Sequence, residues 1–285
     1  MSYEGTGVFT KENLDTLLKE LAKEFKRRNG TAVPAEIILI GGAAVLAGYG
    51  FREMTTDVDA VIHASSAMKE AAGRVGDKYN LPHGWLNSDF MRTDSYSPRL
   101  EQFSVYYKTF SNVLQVRTVS AEYLIAMKLR SGRKYKNDLS DIIGILAEHE
   151  NRGNPISKDK IDMAVCNLYG SWDGFPADSV SFINNALERG SYEAVYAAVI
   201  AEERNSKDLL VQFGEKYPGV TTQSNVNEIL ASLKARTPSI IGQLRESREQ
   251  RGRLSGSKEP SENKELSADN ASERQPKNKK EDTAR

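Results

Sequence analysis

The stretch that decides the fold spans residues 37–62 and reads IILIGGAAVLAGYGFREMTTDVDAVI. Its first four residues form an apolar run too short for a helix, which is typical of a strand covered on both faces. Gly41 and Gly42 break this strand, and the alanine-rich segment after them favours a short helix. A second apolar run, residues 58–62, predicts another strand. We therefore expect a strand, a glycine turn, a short helix and a second strand.

Two aspartates begin the second strand. Asp57 and Asp59 flank Val58, and residues two apart in a strand point to the same side, so both carboxylates face one way while Val58 points into the core. The double glycine upstream allows close approach of a ligand, and a helix start leaves N–H groups facing an anion. Together these features predict a magnesium–nucleotide site. A plain glycine turn with two surface aspartates is the alternative.

The combination of Gly41-Gly42 with Asp57-x-Asp59 resembles the nucleotidyltransferase fold of the polymerase-beta superfamily. The resemblance covers roughly residues 36–148 and implies an α/β (α+β) domain, a small mixed sheet flanked by helices. It also implies an enzyme that moves a nucleoside monophosphate from an NTP to an acceptor hydroxyl. In that reaction Asp57 and Asp59 would hold Mg²⁺, and Gly41 and Gly42 would cradle the β- and γ-phosphates.

Polar residues lie between the glycine turn and the two aspartates. Arg52 and the hydroxyl of Thr56 are placed to contact a phosphate or a ribose, although Arg52 would serve equally well as a solvated side chain. Further on, residues 84–90 mix polar and large apolar side chains, which predicts a partly buried loop anchored by Trp85.

Segments 103–110 and 113–118 are rich in aromatic and β-branched residues and predict a β-hairpin. Alternation puts Gln115 on the polar face of its second strand, where the superfamily often carries a third carboxylate. A neutral amide is a poor metal ligand and a poor base. Either Glu101 or Asp94 takes over this role, or two carboxylates suffice, or the site is degenerate.

A second informative stretch is the basic run at residues 128–136, which gives way to Asp138 and Asp141. It resembles a segment of abortive-infection, AbiE-type nucleotidyltransferase toxins and their relatives. That resemblance implies that Lys128 faces the active site and binds triphosphate, with Arg133 in a similar role. The two aspartates share a helix face and are expected to pair with nearby cations. A solvated, charge-balanced helix pair is the alternative for the run.

Composition sets limits on the function. The chain has 285 residues, with 39 basic and 39 acidic side chains, so no global basic excess points to nucleic acid. The single cysteine, Cys166, excludes an internal disulfide and is expected to be buried as a small apolar residue. Three scattered histidines do not suggest a zinc site.

The N-terminal residues lack the pattern of a signal peptide, and no apolar run approaches membrane-spanning length. We therefore expect a cytoplasmic protein without membrane contact. We expect three parts: a nucleotidyltransferase-like domain at 1–150, a helical domain at 151–240 and a disordered tail at 241–285.

Three functions remain open at this point. The first is a Mg²⁺-dependent nucleotidyltransferase whose acceptor is the 3′ end of tRNA, a protein or a small molecule; the resemblance to the toxins implies a role as a toxin or in phage defence. The second is a catalytically degenerate module that binds nucleotide or RNA. The third is an interaction protein, such as one half of a toxin–antitoxin pair with a cognate antitoxin.

Overall fold

The structure, a computed structural model, describes residues 7–222 and 225–236. Its strands are β1 (Ala35–Leu39), β2 (Val58–His63), β3 (Leu86–Asn87), β4 (Ser104–Phe110) and β5 (Leu114–Val119). Its α-helices are α1 (Lys11–Asn29), α2 (Gly41–Gly48), α3 (Ala67–Tyr79), α4 (Ala121–Ser131), α5 (Asp138–Asn151), α6 (Lys158–Tyr169), α7 (Ala177–Arg189), α8 (Tyr192–Lys216) and α9 (Val226–Arg236). Short 3₁₀ helices span Asp89–Arg92 and Pro98–Phe103.

The strands form one mixed sheet in the order β3-β2-β1-β5-β4. The central strand β1 runs antiparallel to β2 and parallel to β5, while β4 and β5 form an antiparallel hairpin. The fold class predicted from the sequence, a mixed sheet flanked by helices, is therefore confirmed, and so is the hairpin. The expectation of a loop at residues 84–90 is corrected in part, because Leu86 and Asn87 form strand β3, which pairs in parallel with β2.

The helices follow from local signals as well as from packing. Thr10 caps α1 through a reciprocal capping box with Asn13, and the apolar side chains of α1 at helical spacing are buried. α1 packs against α3, while α4 packs against α5 and α6, and α5 packs against α8. One apolar core extends from Phe9 to Ala186, and the described residues up to Leu233 belong to one compact unit.

The expected burial of Cys166 is wrong, since this side chain is exposed. The buried face of α6 consists of Ile161, Ala164, Val165 and Leu168, with the 3-4-7 spacing of a single helix stripe. Residue 166 falls outside this stripe. The predicted disordered tail, 241–285, lies outside the described residues. Within the described part of the chain, none of the helices combines the length and the apolar character needed to cross a bilayer.

Candidate functional site

A cleft of about 420 Å³ opens where β1 ends and α2 begins. Its lining comes from the start of α2, the segment up to the start of β2, the segment from α4 to the start of α5, and α8. The residues singled out in the sequence meet here: the cleft is lined by Gly41, Gly42, Arg52, Thr56, Asp57, Asp59, Lys128 and Arg133. Two stretches that are distant in sequence, residues 41–59 and 128–133, thus converge on one surface.

The double glycine is required for two different reasons, a backbone angle at Gly41 and a close contact at Gly42. Gly41 has a φ of +57°, in the left-handed region, and a Cβ on it would lie 3.5 Å from Asp59 Oδ2. A Cβ on Gly42 would lie 2.6 Å from Thr55 Oγ1 and 2.9 Å from an Arg52 nitrogen. Gly41 therefore permits the turn into α2, and Gly42 lets the chain at residues 52–55 pack down on that turn.

The two aspartates lie at the start of β2. Val58 between them is fully buried, as predicted, while Asp57 is exposed and Asp59 is half-buried. Burial, together with the charge of Asp57, raises the pKa of the Asp59 carboxyl to about 6, and the charges of Lys136 and Arg133 partly offset this rise. Two carboxylates whose mutual repulsion is not relieved by a bonded cation are a donor set that fits a hard divalent ion such as Mg²⁺.

Behind the aspartates is a buried ion cluster, consisting of Arg52, Lys128, Arg133, Asp138 and Asp141. Lys128 Nζ lies 2.7 Å from Asp141 Oδ2 and 3.1 Å from Asp138 Oδ1. Asp141 also pairs with Arg52 at 2.5 Å, and Asp138 pairs with Arg133 at 2.8 Å. The first turn of α5 thus links α4, the turn after it and the segment before β2.

Charge pairing overcomes the cost of burial in this cluster. Burial alone would lower the pKa of Lys128, but Asp141 and Asp138 raise it above its ordinary value. Burial would likewise raise the pKa of Asp138, but Lys128 and Arg133 hold it well below its ordinary range. Lys128 and Asp138 therefore stay ionised at neutral pH, and both aspartates pair with cations as the sequence analysis expected.

These pairs leave Lys128 with little capacity for a ligand. Its side chain is nearly buried and two acids already accept from its ammonium group, which has three donors. In contrast, Lys136 and Lys207 also line the cleft, are exposed and form no ion pair with any residue between 7 and 236 that the structure describes. Lys207 belongs to α8 and carried no signal in the sequence, because nothing local to that helix distinguishes it.

None of the three side chains considered for a third carboxylate position lines the cleft. Gln115 donates to Glu36 Oε2 at 3.0 Å, and Glu101 pairs with His63. Asp94 lines a smaller cavity, which adjoins the cleft at Arg133 and Tyr135. Among residues 7–222 and 225–236, no group of three or more Asp, Glu, His or Cys side chains is placed to hold a metal ion. The carboxylates of this cleft are Asp57 and Asp59, with Asp138 and Asp141 committed to the ion cluster.

A second cavity, of about 480 Å³, adjoins the cleft on the side of α8. It shares Arg52, Tyr135, Asp141 and Lys207 with the cleft, among others, and adds Tyr196 and Glu203 from α8. The candidate site therefore includes a helix that lies far beyond the glycine–aspartate segment in sequence.

The comparison that bears on this geometry concerns the first half of the chain. Residues 14–148 are similar to a nucleotidyltransferase family. The family is described as "nucleotidyltransferase of unknown function (DUF6036)". The match supports the nucleotidyltransferase superfamily for the segment that carries the sheet, Gly41-Gly42 and the two aspartates, and it suggests nucleotidyl transfer in general.

The nucleotidyltransferase-like segment ends within α5, so it contains the whole ion cluster but not α8. No curated protein and no solved structure matches the chain. The contribution of α8 to the cleft is therefore a feature of this structure that the family match does not cover.

Proposed function

We propose that the protein is a Mg²⁺-dependent nucleotidyltransferase that moves a nucleoside monophosphate from an NTP to an acceptor hydroxyl. The observation that carries this proposal is the meeting of Asp57 and Asp59 with the Gly41-Gly42 turn and exposed cations in one cleft. The similarity of residues 14–148 to nucleotidyltransferases supports the same reaction class.

Asp57 and Asp59 would hold Mg²⁺. When bound, this ion supplies charge neutralisation at the triphosphate and lowers the pKa of the attacking hydroxyl. The chain itself would orient the nucleotide: the N–H groups at the start of α2 would face the phosphates, and Thr56 is exposed beside Asp57. Arg52 and Arg133 contribute positive potential, although both are also held by acids of the ion cluster.

The role of Lys128 in this proposal is to position rather than to bind. Its ammonium group holds the first turn of α5 against α4, and this keeps Arg52 and Arg133 at the edge of the cleft. Positive charge at this wall favours the build-up of negative charge on the leaving pyrophosphate.

The resemblance of the basic run to abortive-infection toxins extends the proposal to an RNA acceptor, such as the 3′ end of tRNA, and to a cognate antitoxin as partner. Growth arrest on expression of the intact protein, relieved by changing the aspartates, would support a toxin role. Unimpaired growth at equal protein levels would count against it.

The reaction is tested by incubating the purified protein with Mg²⁺, total RNA and each α-labelled NTP in turn. We expect label to enter RNA or a protein with the wild type but not with Asp57→Asn/Asp59→Asn. The matched control is Asp77→Asn, an exposed aspartate on α3 whose side chain makes no ion pair with the described residues. Equal labelling by the double variant would refute the two-carboxylate mechanism.

A second function is favoured by the ion pairing of Asp138 and Asp141, which leaves the described part of the cleft without a third carboxylate free to hold a metal ion. It is a degenerate module that binds nucleotide without turnover. Nucleotide binding with no label transfer, and with no loss in the double variant, would support this module over the enzyme.

A further inference from the structure

A cleft that takes a triphosphate needs cations that are free to meet it. Lys128 is engaged by two acids, and Arg52 and Arg133 each pair with one. Of the cations that line the cleft within the described chain, Lys136 and Lys207 are exposed and form no ion pair. They are far apart in sequence: Lys136 lies in the turn before α5, and Lys207 lies in α8.

The position of α8 is set by a contact made by Glu203. This residue is nearly buried, and its Oε1 accepts hydrogen bonds from the backbone N–H groups of Leu139 at 2.8 Å and Ser140 at 3.2 Å. These groups lie in the first turn of α5, where the N-cap residue Asn137 makes no side-chain capping bond. Glu203 thus supplies from another helix the cap that α5 lacks.

Glu203 and Lys207 are four residues apart in α8, so they lie on the same face of the helix. The anchor at Glu203 therefore turns Lys207 toward the cleft, and both residues line the adjoining second cavity. The cap also fixes the turn of α5 that carries Asp138 and Asp141. The contact made by Glu203 therefore determines the positions of both the ion cluster and Lys207.

We propose that Lys207 and Lys136 bind the phosphates of the substrate, and that Glu203 is the positioning residue that places Lys207. This inference rests on the proposed function for the identity of the ligand, a polyphosphate chain. It extends the substrate-binding site beyond residues 14–148 to a helix that the family match does not include.

The test measures the binding of inorganic tripolyphosphate by calorimetry, in the presence of Mg²⁺ and at low ionic strength, with the full chain. Lys207→Gln and Lys136→Gln are each expected to weaken affinity about tenfold, because each loses a charge-assisted hydrogen bond. Lys19→Gln is the matched control. It removes one charge from an exposed lysine of α1 that forms no ion pair with a described residue, and it should bind like the wild type.

The positioning role is tested by two changes at Glu203. Glu203→Gln keeps an oxygen that accepts from Leu139 and Ser140, and it should retain wild-type affinity. Glu203→Ala removes the acceptor and should weaken binding about as much as Lys207→Gln. The double variant Glu203→Ala/Lys207→Gln should then bind tripolyphosphate almost as well as Glu203→Ala alone. If Glu203→Ala weakens binding only by disturbing the structure, adding Lys207→Gln should still lower the affinity by a further factor of about ten.

Wild-type affinity in Lys207→Gln, or no binding of tripolyphosphate by the wild type, would overturn this inference. Failure of nucleotidyl transfer would not, because tripolyphosphate binding is measured without turnover. If Lys207→Gln weakens tripolyphosphate binding but the wild type labels no acceptor, the proposed enzyme is refuted and the lysine site is supported.

Discussion

Lys128 Nζ lies 2.7 Å from Asp141 Oδ2, and this pair is almost completely buried between α4 and α5. The contact joins the helix that follows the hairpin to the helix whose first turn closes the cleft. A buried pair of this kind stabilises poorly compared with apolar packing, but removal of one partner leaves a charge without compensation. The pair therefore serves mainly to hold the cleft wall in a single arrangement.

Lys128→Met is expected to lower the free energy of unfolding by about 2 kcal/mol, because Asp138 and Asp141 each lose a charge-assisted hydrogen bond but keep Arg133 and Arg52 as partners. Urea denaturation followed by circular dichroism measures this loss. Adding Asp141→Asn to the variant should deepen the loss, because Arg52 would then lose its acid partner. A loss below about 1 kcal/mol would show that the cluster relaxes into water on losing its lysine.

Gly42→Ala is expected to destabilise the protein and to reduce nucleotide binding, because the new Cβ would lie 2.6 Å from Thr55 Oγ1. Thr55 has little room to move, since its side chain is buried and its backbone pairs with Phe9 in both directions. Arg52, the other neighbour, is held by Asp141. Thermal unfolding and nucleotide titration measure the two effects.

The matched change is Gly48→Ala at the far end of α2. Nothing lies within 4 Å of the Cβ it would add, and the residue is exposed. Alanine favours a helix over glycine, so this variant should gain up to about 1 kcal/mol. Equal stability of the two variants would contradict the packing argument for Gly42.

Glu203 makes stability depend on pH, since burial raises the pKa of its carboxyl to about 7. An acid with a raised pKa in the folded state contributes stability below the unfolded value, about 4.3, and this stability is lost as pH rises to about 7. Glu203→Gln removes the ionisation. It should therefore raise the free energy of unfolding at pH 8 by up to about 3 kcal/mol and leave it little changed at pH 4.

The measurement is a series of urea titrations between pH 4 and pH 8 on the wild type and Glu203→Gln. Glu188→Gln, at an α7 position, provides a control of equal charge change. A wild-type profile parallel to that of Glu203→Gln across this range would show that Glu203 keeps an ordinary pKa.

Metal binding should be visible as a change in stability. Mg²⁺ with a non-hydrolysable NTP at about 100 times the dissociation constant is expected to raise the melting temperature of the wild type by about 5 °C. Asp57→Asn/Asp59→Asn should lose this rise, while Asp77→Asn should keep it. A rise of equal size in the double variant would remove the two aspartates from the binding site.

The local elements of this protein were determined by its sequence. The short apolar run before Gly41, the hairpin after residue 102 and the periodic faces of α1, α6 and α7 each follow from patterns within a few residues. The glycine pair and the two aspartates were also visible locally, because each depends on backbone geometry or on a two-residue alternation. Their convergence in one cleft followed once the strand order placed β2 beside β1.

The partners of the charged groups were decided only by the tertiary structure. Charge pairing depends on distance and burial, and these arise when helices far apart in sequence pack together. Lys128 shows this: the resemblance of the basic run implied a lysine that binds triphosphate. Packing of α4 on α5 places two acids against its ammonium group, although the residue still lines the cleft. Lys207 shows the converse, because a solvated lysine in an ordinary helix enters the cleft only when Glu203 caps a helix more than 60 residues earlier.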